Sequence, residues 1–343
     1  MTYRILGRSG VKVSRLCFGT MTFGGDADEA TSAALFARCR DVGINFFDTA
    51  DGYTYGRSEE ILGRLMKDCR DELVVATKFS STIRKGDVNA GGGTRRHIRE
   101  AVEASLRRLG TDRIDLYYVH FPDPDTPLEE TQRALDDLVH QGKVLYLGIS
   151  NFPAWQVATA LGVSAREGLA RFECVQPMYS LVKRQAEVEL LPLAQHAALG
   201  VCPYNAIGGG VLSGKYAGEG PRRARLLDNP RYKARYSQEW LPDAVVRFVD
   251  YARAHGHHPV SLAVAWVSAH PAVTAPLVGA RTVVQLEDSL RSLDVRLTPG
   301  EWAEIAALVP HPGVATDRTE SLAGFADHPG PGDPGGPPGS RPR

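Results

Sequence analysis

The chain has 343 residues, enough for one large domain or two ordinary ones, and Lys plus Arg equals Asp plus Glu at 40 each. A formal net charge of zero gives no bulk attraction to nucleic acid, anionic membrane or other polyanions, which argues against a dedicated nucleic-acid binder. The N-terminal MTYRILGRSG has no apolar signal region and no stretch reaches the roughly 18 uninterrupted apolar residues of a membrane span, so a soluble cytoplasmic protein is expected.

In chain order, residues 3–15 alternate around Arg8-Ser9-Gly10 and read as a β-hairpin. Eight short apolar runs follow, at 16–19, 45–48, 73–78, 114–120, 144–150, 173–176, 201–204 and 275–278. Segments such as VVATKF and IDLYYVHF are nearly continuous in apolar residues, as parallel strands buried on both faces should be. Between them lie amphipathic stretches with helix punctuation. Ser58 starts a helix led by Glu59 and Glu60, and Thr94 starts one that runs to Leu109 and ends at Gly110. Thr126 reads as an N-cap with Pro127 at the first helical position, Glu129 closing a capping box and Gly142 terminating the helix. Leu128, Leu135, Leu138 and Val139 share one face of that helix.

Strand and helix alternating eight times over some 300 residues is the pattern of a (β/α)8 TIM barrel. A doubly wound sheet would announce a Gly-rich phosphate loop after its first strand, and residues 19–25 do not spell one. The interval from Asn205 to Trp240, after the seventh strand, carries Gly208, Gly209, Gly210, Gly214, Gly218 and Gly220 with a basic patch at Arg222, Arg223 and Arg225; so long a connection reads as a lid or cofactor strap. Eleven of the last fifteen residues are Gly or Pro, so a single domain is expected over 1–326, followed by a disordered tail from Asp327.

Barrel active sites lie at the C-terminal strand ends. The second run ends in FFDTADGYTYGRSEE, offering Asp48, Asp51, Tyr53 and Tyr55; the third ends in Lys78 and the fourth in His120. Neighbouring parallel strands are about 5 Å apart, so these side chains can converge as a proton-transfer unit. Lys78 closes an apolar run, where a buried ammonium needs an anion, and Asp48 on the adjacent strand is the nearest candidate. The five cysteines, Cys17, Cys39, Cys69, Cys174 and Cys202, are widely spaced with no C-x-x-C, which fits buried thiols in a reduced compartment. No metal-spaced cluster is visible, and the His257-His258 pair reads as part of a helix-to-helix turn away from any strand end.

At these residues the chain resembles the aldo-keto reductase family. FFDTADGYTYGRSEEILGR, VVATKF, RIDLYYVHFPDPDTPLEETQRALDDLVHQGKVLYLGISNF, VQPMYSL, PYNAIGGGVLSGKY and LVGARTVVQLEDSL stand in the family's order over residues 3–310. The resemblance implies a (β/α)8 oxidoreductase that transfers hydride from a nicotinamide dinucleotide, usually NADPH, to an aldehyde or ketone, with Asp48, Tyr53, Lys78 and His120 as its tetrad. Tyr53 would be the general acid, its pKa lowered by Lys78, which Asp48 holds charged, while His120 orients the carbonyl. Ser150, Asn151 and Gln176 would hold the carboxamide, and Tyr204 would stack on the nicotinamide ring. Asn205, Gly210 and Lys215 belong with the strap, and Gly279, Arg281, Thr282, Gln285, Asp288 and Ser289 with the adenosine end, where Arg281 pairs with a 2′-phosphate. Asp288-Ser289 departs from the Glu-Asn pair common in the family. The substrate pocket would be lined by Met21, Phe23, Tyr55, Phe79, Phe121 and the strap near Trp240, suited to a neutral or aromatic carbonyl. The alternative is a regulatory role, because similar barrels occur as potassium-channel β subunits that bind NADPH; the intact tetrad and the absence of a docking arm favour the enzyme.

Overall fold

The computed structural model describes residues 1–316 apart from 83, 85 and 216–228. Arg222, Arg223, Arg225 and the tail from Asp327 lie outside the described residues.

Tyr3–Ile5 (β1) and Lys12–Ser14 (β2) pair antiparallel as the expected hairpin. The eight apolar runs become β3 (Cys17–Gly19), β4 (Phe46–Asp48), β5 (Val74–Phe79), β6 (Ile114–Val119), β7 (Val144–Ser150), β8 (Phe172–Gln176), β9 (Gly200–Val201) and β10 (Leu277–Val278). They pair in parallel in the order β10-β3-β4-β5-β6-β7-β8-β9. The ring closes between its two ends through backbone bonds, with Thr274 N donating to Val201 O and Leu277 N to Pro203 O, both at 2.8 Å. The fold is therefore a (β/α)8 barrel.

Around it run α1 (Glu29–Asp41), α2 (Arg57–Met66), α3 (Arg95–Leu109), α4 (Leu128–His140), α5 (Ala154–Glu167) and α6 (Leu190–His196). After β9 come α7 (Pro230–Arg235), α8 (Leu241–Ala254) and α9 (Pro259–Ala269), and after β10 come α10 (Val283–Leu290) and α11 (Pro299–Ala306). The ends of α3 are as expected: the Thr94 hydroxyl accepts from His97 N, and Gly110 takes the left-handed conformation at φ 61°.

Two expected helix starts are corrected. Helix α4 begins at Leu128 with Pro127 as its extended N-cap, and Thr126 instead donates its hydroxyl to Asp123 Oδ2 at 2.7 Å, so no capping box forms with Glu129. The Asp123 carboxylate, three residues earlier in the preceding loop, is the partner that takes the threonine hydroxyl from the helix end. Helix α2 begins at Arg57, and Ser58 is wholly buried, donating to Thr20 O at 2.8 Å and lying 2.9 Å from the Thr49 hydroxyl. Its hydroxyl ties the loops after β3 and β4 together.

The period-2 alternation of the strands divides the interior into two cores. Phe47, Val75, Phe79, Tyr117, Val119, Val175 and Val201 face outward into the helix layer. Phe46, Val74, Ala76, Leu116, Tyr118, Cys174 and Cys202 face into the barrel with Cys17. Leu6 and Val13 from the hairpin join this inner cluster, so β1 and β2 plug the N-terminal end and leave the C-terminal end open. Continuing the inward frame one step past Phe46, Ala76 and Cys174 gives Asp48, Lys78 and Gln176: the top layer of the inner core is polar.

Candidate active site

Asp48 and Lys78 are 1% and 0% exposed and form an ion pair. Lys78 Nζ also donates to Thr49 O at 2.7 Å and lies 3.2 Å from the Tyr53 hydroxyl, so all three of its donor directions are engaged. Gln176 Nε2 donates to Asp48 Oδ2 at 2.8 Å, occupying the oxygen that Lys78 does not. The His120 ring meets the Tyr53 ring edge-on at a centroid distance of 5.9 Å and stacks on Phe121 at 4.4 Å. The four sequence-nominated side chains thus converge at one end of the barrel, although Tyr53 reaches it from a loop where Thr54 and Tyr55 adopt φ of 49° and 56°.

The electrostatics follow from dryness and proximity. Burial opposes charge on Lys78, but Asp48 and then Tyr53 outweigh it and hold the ammonium above its usual range. For Tyr53, burial raises the phenol and Lys78 pulls it down; the net is upward, which corrects the expectation of a lowered value. The lysine moderates a cost set by the dry surroundings. His120 is pushed down to about 3 by burial and by the Lys78 charge, so its imidazole is neutral across the physiological range, and its Nδ1 is buried without a partner.

A second set of polar groups is wired to the first. Tyr204 donates to Asn151 Oδ1 at 2.6 Å, and Asn151 Nδ2 donates to His120 O at 2.8 Å and to Ser150 Oγ at 3.1 Å. Ser150 donates to Gln176 O at 2.8 Å, and Gln176 leads back to Asp48. Asn151 holds φ at 62° and Asn205 at 66°, a left-handed turn that asparagine tolerates better than most side chains. Beside this network a cleft of about 380 Å³ runs between the segment after β9 and the turn after β10. Asn205, Gly210, Lys215, Gly279, Arg281, Gln285, Asp288 and Ser289 all line it. Thr282 instead caps α10, its hydroxyl accepting from Gln285 N.

The cations in the lining suit a phosphorylated ligand. Lys215 and Arg281 supply cations along its length, and Gly210, at φ 99°, sits where an added Cβ would meet Lys215 Nζ at 2.9 Å. Among the described residues, no group of three His, Cys, Asp or Glu side chains gathers as metal ligands.

The expected substrate wall is partly corrected. Phe23 and Phe79 are 0% exposed and belong to the outer core, because Phe79 takes the frame opposite to Lys78 and Phe23 packs on Phe18 at 5.9 Å. Tyr55, Phe121 and Met21 are exposed, and Trp240 packs against the outer core. Three residues at this face were not nominated by the sequence. Trp155, 66% exposed, opens α5 directly above β7. His258, at the N-cap position of α9, lies 3.9 Å from Asp288 and lines the same cleft as Leu277 and Val278 of β10, so the turn after α8 borders the cleft. Asp26 pairs with Arg281. None carries a spacing signal, since their partners are distant in sequence.

With this geometry in hand, comparison with known proteins is decisive: the family model described as "Aldo/keto reductase family" matches residues 15–310. The chain belongs to the aldo/keto reductase family. An uncharacterized oxidoreductase, YrpG of Bacillus subtilis, is 37% identical over 92% of this chain and 98% of its own. A probable voltage-gated potassium channel subunit beta of Oryza sativa is 38% identical over 94% and 99%. Norsolorinic acid reductase B of Dothistroma septosporum is 35% identical over 90% and 82%. As an aldo/keto reductase with oxidoreductases among its relatives, the chain carries the machinery of carbonyl reduction. No helix among the described residues is long and apolar enough to cross a membrane.

Proposed function

We propose that this aldo/keto reductase is a cytoplasmic enzyme that reduces an aldehyde or ketone to an alcohol with NADPH, and that Tyr53 is its general acid. The observation that carries the reading is the buried chain Asp48–Lys78–Tyr53, which places a fixed ammonium 3.2 Å from a phenol at the open end of the barrel. When bound, the dinucleotide supplies the hydride. As the carbonyl carbon accepts it, negative charge grows on the oxygen and the Tyr53 proton moves there. The tyrosinate left behind is stabilised by Lys78, whose charge Asp48 maintains, and regains its proton from solvent. Neutral His120 serves as a hydrogen-bond partner for the carbonyl and carries no charge of its own.

Ser150, Asn151 and Gln176 would hold the carboxamide of the nicotinamide and Tyr204 would flank its ring, while the cleft lined by Lys215 and Arg281 would take the phosphorylated remainder, with Arg281 for the 2′-phosphate. The exposed rim of Tyr55, Phe121 and Met21 suits an apolar or aromatic carbonyl. One of the relatives is named as a reductase of norsolorinic acid.

The test is nicotinamide oxidation over a panel of aldehydes and ketones, native against Tyr53→Phe. Turnover should fall about 10²- to 10⁴-fold with NADPH affinity retained. Tight NADPH binding with no turnover on any carbonyl would move the assignment to a cofactor-binding regulatory subunit; one relative is named as a probable voltage-gated potassium channel subunit beta.

A further inference from the structure

The cleft's cation for a 2′-phosphate is not presented alone. Arg281 Nε lies 3.0 Å from Asp26 Oδ2, and the two side chains are 43% and 54% exposed. Asp26 sits in the loop after β3, which also grips the turn after β10 through Thr22, whose hydroxyl donates to Ala280 O at 2.8 Å. The main chain of Arg281 is fixed as well, its N–H donating to Gln285 Oε1 at 3.1 Å. The guanidinium therefore turns its Nε side to a carboxylate, on a residue that lines the cleft together with Gln285.

We infer that Asp26 determines how strongly the cleft distinguishes a dinucleotide bearing a 2′-phosphate from one bearing a 2′-hydroxyl. The inference rests on the cofactor reading above. A monoester phosphate approaching Arg281 meets a cation already half neutralised and a carboxylate close by that repels it. A 2′-hydroxyl meets neither effect, because it carries no charge. Asp26 thus weakens the phosphorylated cofactor selectively, and Arg281 alone would discriminate more sharply than the pair. Because both side chains are solvated, the effect has the size of a surface ion pair, about two- to fivefold in affinity.

The experiment measures dissociation constants for NADPH and NADH, and for the fragments 2′,5′-ADP and 5′-AMP, by calorimetry on the native protein, Asp26→Asn, Arg281→Gln and the double variant. Asp26→Asn should tighten NADPH and 2′,5′-ADP about two- to fivefold, leave NADH and 5′-AMP unchanged, and lose its effect in the Arg281→Gln background. Equal changes for both cofactors would mean that Asp26 only shapes the loop, and weaker NADPH binding would mean that it supports the guanidinium; either overturns the inference. A native protein that binds NADPH while Asp26→Asn changes nothing also overturns it and leaves the cofactor reading standing. A native protein that binds neither dinucleotide removes both.

Discussion

At the scale of single residues, Asp51 is a buried carboxyl group beside the site whose oxygens have no partner. It was nominated with Asp48 and Tyr53, but the charges that act on its carboxylate most strongly are those of Glu59 and Arg108, ahead of Lys78, and the hydroxyl of Tyr117, buried without a partner, feels it in turn. Neither of its oxygens makes a well-formed hydrogen bond, and burial, then Glu59, push it up to about 7 despite Arg108. The unfolded chain ionises at the ordinary value of 3.8, so the native state binds the proton more tightly. Stability contributed by this group therefore falls as pH rises from about 4 to about 7, at about 1.4 kcal/mol per pH unit, and stays low above that range. Asp51→Asn should raise the urea midpoint at pH 8 and leave it nearly unchanged at pH 4. A native protein whose excess lability at pH 8 persists in the variant would exclude Asp51 as its source. What sequence could supply here was the loop and the residue types. Which carboxylate enters the site depends on the side from which the chain leaves β4, and that is set by packing against α2 and α3.

At the scale of elements, the contact between α2 and α3 is made by absence of a side chain. Gly63 lies so close to α3 that an added Cβ would sit 2.6 Å from Leu109 O and 2.7 Å from Arg108 O, both backbone atoms that cannot rotate aside. Gly63→Ala should force the helices apart and cost about 1–3 kcal/mol, read as a lower urea midpoint with unchanged slope. An alanine variant as stable as the native protein would show that the two helices slide freely. Their spacing matters to the site because Glu59 and Arg108, paired across it at 2.6 Å, border Asp51. Elements with strong local signals were legible: the eight strands, the hairpin, and both ends of α3. Misjudged were starts whose polar residue had a better partner elsewhere, Thr126 with Asp123 and Ser58 with Thr20. Local propensity cannot register a competitor brought in by the fold.

At the scale of the molecule, the barrel and the convergence of Asp48, Tyr53, Lys78 and His120 could be read from order and strand ends. Phe79 and Lys78 are consecutive in β5 and so face opposite layers, and it is this period-2 frame that takes the phenyl ring out of the pocket. Contacts made by the chain's distant parts, such as Asp26 with Arg281 and His258 with Asp288, required the coordinates.

The junction of β9 and β10 has a dynamic consequence. Strands β5, β6 and β7 are laced by continuous ladders, whereas β9 and β10 are two residues each and meet through a few backbone bonds from Thr274, Ala275 and Leu277. Such a junction opens more readily than the rest of the wall, and its amides should exchange with deuterium first. The cleft lies across it, with Asn205 and Ala206 on one bank and Leu277, Val278 and Gly279 on the other. On the cofactor reading proposed above, a dinucleotide seated there would span both banks, so NADPH should slow exchange at Thr274 and Leu277 while leaving β5 and β6 unaffected; uniform protection would contradict this. On that reading, breathing of the wall and escape of the ligand would be one event, and the wall would be stiffest with the cleft filled.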